Sequence, residues 1–145
     1  MPVTSPTTIR TYYSPLHPLH ALLLAGSLPL FLGTLFSDIT YYNSYHIQWS
    51  NFASWLLAGA LVFSGLALLC ALIGLFRSDR RQGLALVYFL VLLAAWILGF
   101  INALVHAKDA WAIMPEALVL SVVVTLLMLV ATWIGFFGLR RGGVQ

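Results

Sequence analysis

Four histidines and four carboxylates are the side chains here that could bind a metal or move a proton, and they fall in separate groups along the chain. His17 and His20 are three residues apart, so on a helix they share a face and could hold one metal ion with a third group from elsewhere. Asn102, His106 and Asp109 stand at i, i+4 and i+7 and form one stripe if helical; Asp38, Tyr45 and His46 precede them and Glu116 follows. Brought together, these residues would make a single polar pocket.

Three chemistries fit such a pocket. A six-coordinate haem b would use His46 and His106 as facing ligands, with His20 and His17 as the other histidine pair to consider. A divalent metal would take His46, His106 and a carboxylate from Asp38 or Asp109, a mixed nitrogen and oxygen set. A quinone or lipid headgroup would exchange a proton with His106 or Asp38 while Tyr41, Tyr42, Tyr45 and Trp49 enclose its ring. The structural alternative uses the same residues without a ligand: Asn102 bonds a neighbouring helix, Asp38 and Glu116 are helix-end charges, His17 and Pro18 set the entry angle of a helix, and the remaining histidines are interfacial. The chain lacks a Ser-His-Asp order, a phosphate-cradling glycine loop and a zinc-protease pattern.

The elements that must position these groups are apolar. The chain has 145 residues, 61% of them hydrophobic and 8% charged, with a mean hydropathy of +0.96. Each crossing of a bilayer needs roughly 20 apolar residues, so this length accommodates four spans and no separate soluble domain. The spans are expected at about 19–37, 52–76, 84–105 and 116–139, within a transmembrane domain of residues 19–139 flanked by an N-terminal segment 1–18 and a tail 140–145. Pro29 should kink the first helix, a hydroxyl such as that of Thr34 satisfying the freed carbonyl. Residues 38–51 read as an interfacial loop rich in Tyr and Trp. In the second span Ala60, Ser64, Ala67 and Ala71 recur at four- and three-residue spacing, a small-residue face suited to close helix packing. Short connections then give an all-α, up-down antiparallel four-helix bundle.

Arg10, Arg77, Arg80, Arg81, Arg140 and Arg141 fall on one side of these spans and Lys108 alone on the other. The positive-inside rule places both termini in the cytoplasm and the 38–51 and 106–116 segments outside. The same topology accounts for the net charge of +3 without a nucleic-acid partner. Cys70 is the single cysteine, so no intrachain disulfide forms. The first 18 residues carry one charge and four prolines, unlike a cleaved signal, and the first span is expected to be retained.

SPLHPLHALLLAGSLPLFLGTLFSD at 14–38, WSNFASWLLAGALVFSGLALLCALIGLF at 49–76, Asn102 and TWIGFFGLRRGG at 132–143 resemble a family of bacterial predicted membrane proteins known as domain of unknown function twenty-two thirty-one. Relatives often carry a histidine at the start of the third span, where this chain has GLALVY. Fusions of relatives to Rieske-type and cytochrome-type domains imply company with electron-transfer proteins. The expectation is a small redox-associated or cofactor-binding membrane subunit holding haem, quinone or a metal. The alternative is a non-enzymatic scaffold or assembly subunit, in either case within the lipid bilayer and open to forming a homo-oligomer.

Overall fold

A computed structural model describes residues 16–77 and 82–138, with the backbone alone at Arg77 and Gln82. Four helices follow one another: α1 (Pro18–Ser44), α2 (Ile47–Arg77), α3 (Gln82–His106) and α4 (Glu116–Trp133). A short 3₁₀ turn, Ala110–Ala112, interrupts the α3–α4 connection, and α4 ends in a π-helical turn, Ile134–Gly138. All four helices are long and apolar enough to cross a membrane, which implies a bilayer environment.

The helices form because apolar and small residues recur with a period near 3.5. On α1 the buried column reads His20, Leu24, Ser27, Phe31, Thr34, Asp38 and Tyr41; on α2 it reads Ala53, Leu57, Ala60, Ser64, Ala67 and Ala71. On α3 it reads Tyr88, Leu92, Ala95, Gly99, Asn102 and His106. On α4 it reads Ala117, Ser121, Val124, Met128, Ala131 and Gly135. Steps of four and three alternate on every helix, the pattern that keeps one seam facing inward in a left-handed bundle. The small-residue face of α2 is therefore buried inside the chain's own bundle. Trp96 of α3 lies across that helix, its indole N–H donating to the Leu61 carbonyl at 3.1 Å over Gly65, where an added Cβ would sit 3.0 Å from the indole nitrogen. Trp133 of α4 is 67% exposed on the outside of the bundle and packs on Phe137.

Each helix packs on its neighbours in sequence and α4 closes on α1, so α1 and α3 lie diagonally across the bundle. The interior between its ends is apolar, built on Leu24, Phe31, Leu57, Leu92, Val124 and Met128. Four hydroxyls within it are satisfied by their own helices: Ser27 donates to the Leu24 carbonyl, Thr34 to that of Leu30, Ser37 to that of Gly33 and Ser64 to that of Ala60, while Thr125 of α4 reaches across to the Phe31 carbonyl. Thr34 thus serves Leu30 rather than the carbonyl that Pro29 frees, and α1 continues through Pro29.

The 38–51 segment differs from its expected form. α1 runs on to Ser44, α2 begins at Ile47, and only Tyr45 and His46 connect them. Tyr45 makes the turn in the left-handed region at φ 53°, its N–H bonded to the Tyr41 carbonyl at 2.7 Å. Two features favour this: Thr40, Asn43 and Ser44 each donate to the carbonyl four residues back, and Tyr41 is anchored in a second small core with Val105, Ile113 and Ala117. Polar composition suggested a loop, and tertiary anchoring of Tyr41 overrides it. The arginines on which the orientation rests lie outside the described residues, apart from the backbone of Arg77.

Candidate functional site

Asp38 is fully buried near the end of α1, although a carboxylate in a transmembrane helix is costly and calls for partners. It has two. Asp38 Oδ1 meets His106 Nε2 at 2.9 Å, and Oδ2 accepts a short 2.5 Å hydrogen bond from Ser121 Oγ. The other imidazole nitrogen, His106 Nδ1, lies 3.0 Å from the backbone carbonyl of Asn102, one turn back on α3. Asn102 Nδ2 in turn donates to Ser121 Oγ at 2.8 Å. Three helices thus converge on one carboxylate, with the imidazole side chain 2% and the carboxylate 0% exposed.

Hydrogen-bond roles fix the proton count of this cluster. A carbonyl only accepts, so Nδ1 carries a hydrogen. The Nε2 to Oδ1 contact then holds a single proton, written either as imidazolium with carboxylate or as neutral imidazole with carboxylic acid. In both forms the pair is neutral as a unit, which lets it reside in a bundle core. The order of contacts also excludes a hydrolytic triad. There an imidazole bridges serine and carboxylate; here the carboxylate bridges serine and imidazole, and the imidazole makes no hydrogen bond to Ser121 Oγ.

A cleft of about 270 Å³ opens beside this pair. It is lined by His106, by Ile47, Gln48, Ser50, Asn51 and Ser54 from the start of α2, and by Lys108 and Ala110 from the α3–α4 connection. The side chains of Gln48, Ser50, Asn51 and Ser54 can donate and accept, Lys108 only donates, and no carboxylate lines the cleft. Lys108 is tethered at the mouth by Glu116, Nζ to Oε2 2.9 Å, with both side chains at least half exposed.

The expected pocket of Asp38, His46, Asn102, His106, Asp109 and Tyr45 is assembled in part. Asp38, Asn102 and His106 meet. Asp109 does not share their stripe, because α3 stops at His106 and Asp109 caps the 3₁₀ turn, exposed. His46 is exposed in the α1–α2 turn, and Tyr45 stacks on Trp111 at 5.9 Å on the surface. Tyr41 is no ring-encloser: it is buried and its hydroxyl donates to the Ala110 carbonyl at 2.9 Å. Among the described residues no three His, Cys, Asp or Glu side chains come together as a metal site.

At the opposite end, His17 caps α1, its Nδ1 accepting from the Leu19 N–H at 3.3 Å, and is exposed. His20 is buried and its Nε2 meets the Tyr88 hydroxyl at 2.7 Å. The two histidines therefore do not act together. Sequence reasoning passed over Ser121 and Tyr88. Both stand on the 3.5-residue columns of their helices, level with Asn102 and Leu92 as inward positions, and that spacing was the available signal.

A model of the predicted membrane protein family DUF2231 matches residues 16–144, most of the chain and all four helices. No curated protein and no solved structure matches the chain.

Proposed function

The chain belongs to the DUF2231 family of predicted membrane proteins, and from that premise we propose that it serves as a small redox-associated membrane subunit, receiving a quinone headgroup in the cleft beside His106. One observation carries the reading: His106, one half of the buried Asp38–His106 pair, lines a cleft with Gln48, Ser50, Asn51 and Lys108 at one end of a transmembrane bundle. Quinone carbonyls are acceptors, and Ser50, Asn51, Gln48 and Lys108 offer donors to them. Reduction of a quinone to a quinol takes two electrons and two protons. The electrons would come from a partner of the electron-transfer class, and the Asp38–His106 pair would supply the two protons one at a time, taking up a proton from water through the cleft after each transfer.

Haem b and a divalent metal are served less well by these residues. Both ring nitrogens of His106 already have hydrogen-bond partners, His46 stands on the surface apart from them, and His20 is bonded to Tyr88. By the arginine asymmetry the cleft faces the outside of the bacterial inner membrane and both termini face the cytoplasm. Reporter fusions after Asn51 and after Ala112 should both read as external, and a cytoplasmic signal at either would reverse this orientation.

The binding test uses the full chain in lipid nanodiscs, titrated with a short-chain benzoquinone while tryptophan fluorescence is followed. Saturable quenching is expected, weakened in Asn51→Leu at the cleft wall and in His106→Ala. A titration that is linear, or equal in both variants and the parent, would leave the Asp38–His106 pair as a clasp between helices and favour the scaffold role. A Soret band in the purified protein would shift the assignment to haem.

A further inference from the structure

The outer cluster has one atom left over. Asn102 is fully buried and its Nδ2 is bonded to Ser121, yet its Oδ1 has no hydrogen-bond partner. Turning the amide about its long axis only exchanges which end is left without one. An unpaired buried acceptor costs about 1–3 kcal/mol, and native structures keep such atoms where a water molecule or an ion takes them.

The charge of the cluster narrows the choice. Asp38 brings one negative charge, and the proton shared with His106 balances it. Remove that proton and the Nε2 lone pair faces Asp38 Oδ1 across 2.9 Å, with an uncompensated charge in the bundle. One positive charge restores the balance. Asp38, Asn102 Oδ1 and Ser121 Oγ come from α1, α3 and α4 and are hard oxygen donors, the kind that bind cations with closed shells. A single carboxylate balances a single charge, so a divalent ion would leave the site positive.

We propose that the Asp38–Asn102–Ser121 cluster binds a small monovalent cation, Na⁺ or Li⁺, in exchange for the proton shared by Asp38 and His106. One proton leaves for solvent and one cation enters, so the charge of the cluster is unchanged. The cleft over His106 is the route. This proposal shares the Asp38–His106 pair and the cleft with the quinone reading but does not require that quinone binds. Among the described residues at this end Asp38 is the only buried carboxylate. On α1, Tyr41 is tied to the Ala110 carbonyl; on the α3–α4 connection Lys108 is paired with Glu116 of α4, and Asp109 is exposed. His46 is exposed in the α1–α2 turn, and the first two turns of α2 contribute Gln48, Ser50, Asn51 and Ser54, none of which titrates.

The test is proton release from the full chain, in detergent at weakly buffered alkaline pH, read with an indicator dye. Added NaCl should release close to one proton per chain, where choline chloride at the same ionic strength releases none. Asn102→Leu should weaken the apparent Na⁺ affinity by at least about tenfold. Asp38→Asn should abolish release while keeping the fold, because an amide there can donate to neutral His106 Nε2 and accept from Ser121. Thr132→Val, which alters an unrelated buried hydroxyl, should leave release unchanged. Equal release with choline, no release from the parent chain, or undiminished release in Asp38→Asn would each overturn the proposal. Should Asn102→Leu fail to assemble, the salt comparison and Asp38→Asn decide. Quinone quenching measured without Na⁺ separates a failure here from a failure of the cleft.

Discussion

The two ends of the bundle are built on the same plan and finished differently. At one end α1 gives His20 to Tyr88 of α3; at the other it gives Asp38 to His106 of α3. Both pairs join the diagonal helices. The later pair lies 18 residues further along each helix, a rise of about 27 Å, close to the thickness of a bilayer's hydrocarbon layer. Each pair thus sits near one membrane surface with an apolar core between. The His20–Tyr88 pair, at the end proposed to be cytoplasmic and so called inner, is a single hydrogen bond. The outer pair carries a shared proton, recruits Ser121 and Asn102, leaves one acceptor unpaired and borders a cleft. A diagonal clasp needs only the first of these arrangements. The additional parts at the outer end point to work beyond holding helices together.

The comparison breaks most forcefully at Asp38. Asp38→Ala removes the acceptor shared by His106 and Ser121 and leaves both stranded in the core, a loss of about 3–5 kcal/mol. Unfolding in mixed detergent, followed by circular dichroism, should show it. Asp38→Asn should recover most of that loss, since every bond but the shared proton can be remade. An Asp38→Asn variant as unstable as Asp38→Ala would mean that the ionised pair, rather than its geometry, holds this end.

The second prediction addresses the inner end through packing. Gly135 lies under the Tyr88 ring: an added Cβ would stand 2.7 Å from Leu24 Cδ2 and 3.2 Å from Tyr88 Cε2. The leucine terminus can swing aside, but the ring is held by His20. Gly135→Val should cost about 1–3 kcal/mol by overpacking and leave proton release at the outer end untouched. A change in that release would show the two ends to be coupled through α1 and α3.

Much of this plan could be read from the residues. Four apolar runs mark four helices, the Ala60, Ser64, Ala67 and Ala71 series marks a packed face, and the four-residue spacing of Asn102 and His106 puts both on the helix face that meets Asp38 and Ser121. The rest depended on quantities that composition does not carry. Where α1 ends is decided by Tyr41, whose burial against Val105 and Ile113 brings distant segments together and outweighs the polar character of 38–44. Asp109 was misplaced because an i+7 stripe requires a helix that in fact stops at His106. Ser121 looked like any hydroxyl among valines; only the pairing of α4 with α1 turns it toward Asp38 rather than back to its own helix, as Ser27, Thr34 and Ser64 turn.

The smallest effect sharpens the comparison most. Tyr88→Phe deletes one hydroxyl and keeps the ring that fills the inner end. Polar contacts between transmembrane helices average about 0.6 kcal/mol and reach about 1.7, so this variant should fall in that range, several-fold below Asp38→Ala. A double-mutant cycle with His20→Phe would isolate the coupling of the pair. If the inner end is a clasp alone, the cycle gives a coupling of that size and cation-linked proton release is unaltered. A coupling near that of Asp38 with His106 would instead place a second proton-holding pair at the opposite membrane surface. The bundle would then have a titrating group at each end of the same two helices.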